Sequence, residues 1–167
     1  ARVAGDDKKA LNKIVEDAHT AAKSGQAAED GTRLHDILHA VGLGEPVEIP
    51  VKWGRHVREW QRVTADWTFI CREQMVISDT HKIAGTPDAI ATVPQLGAMP
   101  VIVDWKTGAT IDFGFREMAA QLAIYANAEF LYEHDGELGR EAMPEVSLSK
   151  GLIVHLPENG GGAIRLY

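Results

Sequence analysis

"GTPDAIATVPQLGAMPVIVDWKTG", residues Gly85 to Gly108, decides how this chain folds, because two apolar runs flank a centre built from reversal-forming residues. Ile90 and Val93 lie on one side of Pro94, Gly97 and Pro100, and Val101, Ile102 and Val103 lie on the other. β-Branched residues favour extended backbone, while Pro and Gly mark where the chain turns back. The stretch therefore reads as two strands folded against each other, interrupted by Asp88, Asp104 and Lys106. Side chains on a strand alternate between faces, so Asp104 and Lys106 project from one side and Trp105 from the other. The fold-back can bring the Asp88 carboxylate beside that of Asp104. Two adjacent carboxylates repel, and both stay ionised at low cost only with a cation between them. Oxygen donors suit hard ions such as Mg²⁺ and Mn²⁺. On these three residues alone, a solvated hairpin face carrying an ion pair worth less than ~1 kcal/mol is the better reading.

Working outward, the apolar spacing predicts helices over residues 7–23, with Leu11, Ile14, Val15 and Ala18 inward and Ser24-Gly25 as the stop, and over 29–41. In the second helix Leu34, Ile37, Leu38 and Val41 form a core-facing stripe, ended by Gly42. A third helix, 52–67, carries an apolar arc of Trp53, Val57, Trp60 and Trp67. Beside that arc runs a basic stripe of Lys52, Arg55, Arg58 and Arg62. Strands are expected at 69–78, 83–91 and 100–105, a helix at 114–132, and strands at 151–156 and 163–167 around the turn Gly160-Gly161-Gly162. This order predicts an α/β fold in which a mixed sheet, a three-stranded meander and then helix and strand, is flanked by helices.

With 167 residues, 45% of them hydrophobic, the chain can build one core, so a single domain over 1–167 is expected, helical over 1–68 and sheet-bearing over 69–167. The net charge of −7 is unevenly spread. Residues 1–72 hold 11 basic and 11 acidic side chains, residues 73–167 hold 6 and 13, and much of that excess lies in a segment with Glu129, Glu133, Asp135, Glu137, Glu141 and Glu145. That segment is expected to be a solvated loop turned away from any polyanion. The lone Cys71 excludes an internal disulfide or a cysteine-held metal cluster and reads as an inert, half-buried thiol. No apolar run approaches the roughly 20 residues that cross a bilayer, and the charged start ARVAGDDKKALNK is unlike a signal peptide, so a cytoplasmic location is expected. Because the first residue is Ala1 rather than Met, the natural chain is expected to be trimmed, disordered or longer at that end.

Four patterns in one order change the odds for the carboxylates. Gly31-Thr32-Arg33-Leu34-His35, Gly85-Thr86-Pro87-Asp88, Val101 to Gly108 with Asp104-Trp105-Lys106, and Gln121-Leu122-Ala123-Ile124-Tyr125-Ala126 together resemble the PD-(D/E)xK nucleases. The likeness is closest to the RecB-type branch, which includes phage exonucleases. It implies a restriction-endonuclease-like core in which His35, Asp88, Asp104 and the backbone carbonyl of Trp105 bind Mg²⁺ or Mn²⁺ and Lys106 is the catalytic lysine. Gln121 and Tyr125, one helical turn apart, would support the lysine or touch DNA. Glu73 is a weaker candidate for an outer role, and His39 is left out because the family pattern does not require it. His19, His56, His81, His134 and His155 show no ligand spacing.

The resemblance implies a metal-dependent deoxyribonuclease, an exonuclease of recombination or repair and phage-encoded, acting on linear or single-stranded DNA beside a recombination or helicase partner in a bacterial or phage-infected cytoplasm. A structure-specific endonuclease, a DNA-binding module without chemistry, and an enzyme of small phosphate esters are the alternatives. The chain lacks the four cysteines that some relatives use for an iron-sulfur cluster, and it shows no motor motif. The basic stripe is expected to track phosphates, with Trp53 or Trp60 stacking on a base.

Overall fold

The computed structural model describes residues 3–108, 110–111, 114–132, 139–157 and 164–167; of residues 3–24, only the side chains of Ala10, Lys13, Ile14, Val15, Asp17 and Thr20 are described. Glu133, His134, Asp135, Glu137 and the Gly160-Gly161-Gly162 turn lie outside the described residues, as does the side chain of His19. The chain forms two compact units, Ala1–Asp36 and Ile37–Tyr167.

Helix α1, Val3–Leu43, replaces the two expected helices with one. Ser24 and Gly25 do not stop it, because glycine inside a helix costs only about 1 kcal/mol relative to alanine and forbids nothing. Within the first unit, Ile14 and Val15 of the stripe expected over 7–23 are 64% and 48% exposed rather than buried. In the second stripe, Leu34 in the first unit and Ile37 and Leu38 in the second are buried. The stop is Gly44, not Gly42. Gly44 adopts the left-handed φ of 75° and its N–H donates to Val41 O at 3.1 Å.

The second unit is the mixed α/β sheet that the sequence predicts. A 3₁₀ turn, Val51–Trp53, leads into α2, Gly54–Thr64. The strands are β1 Thr68–Arg72, β2 Met75–Ser78, β3 Ile83–Gly85, β4 Ala89–Thr92 and β5 Val101–Gly108. After α3, Phe115–Ala126, come β6 Phe130–Tyr132, β7 Arg140–Ala142, β8 Gly151–Pro157 and β9 Arg165–Leu166. One sheet has the order β1-β4-β5-β8-β9 and the other β3-β2-β6-β7. In the first, β5 and β8 run parallel and the other neighbours antiparallel. Strands β5 and β8 are buried on both faces, as a parallel pair covered by helices must be.

The expected meander 69–78, 83–91, 100–105 is divided between these sheets. Glu73 takes a left-handed φ of 46°, which costs a non-glycine residue about 1–2 kcal/mol and turns the chain out of β1 into β2 of the second sheet. Pro87, which cannot donate to a ladder, separates β3 from β4. The chain thus enters the first sheet at β1, leaves for the β2–β3 hairpin, and returns at β4.

Two layers of side chains cover the first sheet. On one face Ile90, Ile102 and Ile153 pack with Leu122, Tyr125 and Ala126 of α3 and with Val76 and Leu131 of the second sheet. On the other, Trp105 meets Trp60 edge-on at 5.8 Å between ring centroids and stacks on Trp67 at 6.1 Å. Cys71 is half-buried, and burial pushes its thiol pKa up, which keeps it inert as expected.

Glu129 lies in the partly exposed link between α3 and β6 and is tied to the turn after β2. It accepts hydrogen bonds from the Asp79 and Thr80 N–H groups at 2.8 and 3.3 Å, and bonds led by the Thr80 hydroxyl bring its pKa from 4.5 down to about 2. A carboxyl whose folded value is depressed stabilises the fold fully above its unfolded value. That contribution is lost as pH falls from 4.5 towards 2. Glu129→Gln is therefore expected to lower the melting temperature at neutral pH and to flatten its fall in acid, measured by circular dichroism across that range; parallel curves for parent and variant would contradict this.

A Cβ on Gly85 would lie 2.5 Å from Tyr125 Cε1 and 2.8 Å from its hydroxyl, so the ring needs glycine there. Gly85→Ala is expected to cost about 1–3 kcal/mol in urea denaturation, the usual penalty for overpacking.

Candidate active site

The β4–β5 ladder pairs Ala89 with Val103, Ile90 with Ile102 and Ala91 with Val101. Continued by one residue, this register sets Asp88 directly opposite Asp104. Paired residues of an antiparallel ladder point to the same face. That face is the one of Ile90 and Ile102, beneath α3, whereas Trp105 turns to the α2 side. The Asp88 carboxylate also accepts a hydrogen bond from the Trp105 N–H at 2.5 Å, which ties it to β5 beside Asp104. Asp104 is 4% exposed, and the Lys106 ammonium lies 2.7 Å from its Oδ2. Thus Asp88, Asp104 and Lys106 come together as the sequence predicts, with opposite charges in contact and the lysine partly open to solvent.

The row extends further. The β1–β4 ladder pairs Arg72 with Ala89, and the next step is marked by the Glu73 N–H donating to Asp88 O at 3.1 Å. Glu73 therefore adjoins Asp88, and its carboxylate pairs with His39 Nδ1 at 3.4 Å. Both belong to the second unit. His39, set aside in the sequence, is joined to the acidic row through Glu73. The available signals were its position one helical turn after His35 and the place of Glu73 at the end of a strand. His35 is half-buried in the first unit.

Tyr125 and Gln121 share one face of α3, and Gln121 Nε2 donates to the Tyr125 hydroxyl at 3.0 Å. Because the Tyr125 ring lies against Gly85, the Gln-x-x-x-Tyr pattern packs on the segment that leads to Asp88. Tyr125 is 9% exposed, so its part here is to hold that segment.

On the sheet's other margin, the registers pair Lys106 with His155 and His155 with Arg165. His155 is buried, and its Nε2 lies 3.0 Å from Gly108 O, at the end of the strand that carries the lysine. His56 is buried too, with Nε2 2.8 Å from Pro157 O, so both histidines hold strand ends.

The basic stripe stands apart from this row. Lys52, Arg55, Arg58 and Arg62 are exposed as expected, but α2 packs through Trp60 on the Trp105 face, opposite to the carboxylates. The stripe is thus separated from them by the sheet. Arg62 is also neutralised by Glu59 at 2.9 Å. Trp53 and Trp60 are 6% and 2% exposed and cannot stack on a base, because the amphipathic pattern that marks them as apolar also buries them.

Among the described residues, no three His, Cys, Asp or Glu side chains form a ready metal cluster. The facing pair Asp88 and Asp104 nevertheless fits a hard ion, since Mg²⁺ keeps several waters and takes one or two carboxylates plus substrate phosphate. Among the described residues, no helix is long and apolar enough to cross a membrane. No protein-family model matches the chain, and no curated protein matches it either.

The bond from the Trp105 N–H to Asp88 can be tested without any substrate. Asp88→Ala is expected to cost about 1–3 kcal/mol of stability by leaving that N–H unpaired, and Asp88→Asn distinctly less, because its amide oxygen can accept. Equal losses in chemical denaturation would argue against the contact.

Proposed function

We propose that the protein is a metal-dependent nuclease that hydrolyses DNA phosphodiester bonds, on a restriction-endonuclease-like core. The observation that carries the reading is the facing pair Asp88 and Asp104 with the Lys106 ammonium 2.7 Å from Asp104. Its order in the chain with the Gly85-Thr86-Pro87-Asp88 and Gln121 to Tyr125 patterns supports the same reading. The sequence pattern also assigns the Trp105 carbonyl to the metal.

Asp88 and Asp104 would hold Mg²⁺ or Mn²⁺, which when bound lowers the pKa of water and offsets charge on a phosphate. Lys106 donates from Nζ, and its placement beside Asp104 lets it orient the attacking water and stabilise charge developing on the phosphate oxygens. Asp104, nearly shut off from solvent, holds that ammonium in place through the ion pair. Attack of water on phosphorus breaks the bond to the 3′ oxygen, which leaves with a proton, and the product carries a 5′-phosphate. Tyr125 and Gln121 keep the Asp88 segment against the helix. An exonuclease of recombination or repair, phage-encoded and working in the cytoplasm with a helicase or recombination partner, is the biological setting that the resemblance supports.

Asp88→Ala, Asp104→Ala and Lys106→Ala are each expected to lower cleavage of end-labelled linear DNA by at least about 100-fold, while circular dichroism shows a folded chain. Chelation of divalent ions should stop the parent enzyme. Parent-like cleavage by any of the three variants would refute the assignment, and a parent that binds DNA without cutting it would mark a non-catalytic module.

A further inference from the structure

The carboxylate face continues past the acidic pair to the short edge strand β9. The registers place Lys106, His155 and Arg165 in one row across β5, β8 and β9. In the neighbouring row Asp104 pairs with Ile153, and Tyr167 exchanges two backbone hydrogen bonds with Ile153, each of 3.0 Å. Paired residues share a face and neighbouring strands are about 4.8 Å apart. Arg165 and Tyr167 thus stand on the same face as Lys106 and Asp104, two strands away.

Tyr167 is not alone there. Its ring meets that of Phe115, at the first turn of α3, edge-to-face at 6.4 Å between centroids. Phe115 and Tyr167 are nonetheless 47% and 44% exposed, and Arg116 and Arg165 beside them are exposed as well. The two rings rim a cleft of about 270 Å³ between α3 and β8–β9, floored by Leu122 and Ile153. Pockets for drug-sized ligands run to about 300–1,000 Å³, so this cleft has room for a small flat ring system such as one nucleobase. A single exposed aromatic residue needs no explanation. Two in contact, flanked by arginines and on the face that bears the carboxylates, match how single strands are bound: bases stack on aromatic rings and cations follow the backbone. The α2 stripe, behind the sheet, does not offer that combination.

We infer that Phe115, Tyr167 and Arg165 form a docking platform for single-stranded DNA, with a base stacked on the aromatic pair and a backbone phosphate on Arg165, so that the strand runs across the β8–β9 margin towards Lys106. The inference rests on the nuclease reading for its direction but makes its own prediction about binding. The test is fluorescence anisotropy of a labelled oligothymidylate about 12 nucleotides long, with divalent ions chelated so that nothing is cut. Arg165→Ala is expected to weaken binding about tenfold and to reduce the salt slope by about one, and Arg165→Lys to recover most of it. Tyr167→Ala and Phe115→Ser should each weaken binding roughly 5- to 50-fold while the salt slope stays unchanged, and Tyr167→Phe should bind like the parent. Affinities of Arg165→Ala and Phe115→Ser within about twofold of the parent would overturn the platform, as would a parent that does not bind, or a Tyr167→Phe loss as large as that of Tyr167→Ala. If the variants lose binding but the parent cuts no DNA with Mg²⁺ or Mn²⁺, the platform stands and the nuclease reading falls. If the parent cuts and the variants bind normally, the reverse holds.

Discussion

The antiparallel ladder between β4 and β5 is the constraint on which the candidate site depends. Its register sets Ile90 opposite Ile102 on the core face beneath α3, and a slip of one residue would send the slipped strand's side chains to the opposite face. That same alignment carries Asp88 to a position across from Asp104. The apolar pairs therefore fix the polar one. Burial of the isoleucines supplies the free energy that holds two like charges close, and the Trp105 N–H and Lys106 ammonium offset their repulsion.

Trp105 anchors the opposite face. Packed against Trp60 and Trp67, it locks the orientation of β5 about its own axis, so the residues before and after it must point towards α3. A charged residue on either side of a buried tryptophan is the local signature of this arrangement, and it explains why Asp104 and Lys106 tolerate a strand otherwise made of Val and Ile. It also fixes which surfaces can meet a substrate. The outer side of α2 is basic but lies behind this tryptophan layer, whereas the β8–β9 margin and the first turn of α3 lie on the carboxylate side.

Around this centre the supporting contacts reach across large separations in the chain. Gly85 accommodates the Tyr125 ring, Glu73 links Asp88 to His39, and His155 holds the end of β5 at Gly108. Each joins elements that neither periodicity nor local propensity brings together. The left-handed backbone at Glu73 belongs with them: an unfavourable local conformation persists because it places β1 and β2 in different sheets.

The sequence by itself determined what depends on neighbours within a few residues. The β-branched runs of β5 and β8 made strands, α3 was expected at nearly its observed start, and alternation put Asp104 and Lys106 on one side and Trp105 on the other. Tertiary structure decided the rest. Ser24 and Gly25 looked like a stop, but their weak propensity did not end α1. Residues 69–78 looked like one strand, but sheet pairing broke them at Glu73. Trp53 and Trp60 carried the same amphipathic signal whether they met a base or the core, and only tertiary packing, for Trp60 against Trp105, settled that they are buried. The facing of Asp88 and Asp104, the pairing of His39 with Glu73 and the row from Lys106 to Arg165 are properties of strand register, a long-range choice made by total burial, for which a linear pattern of residues holds no local energy term.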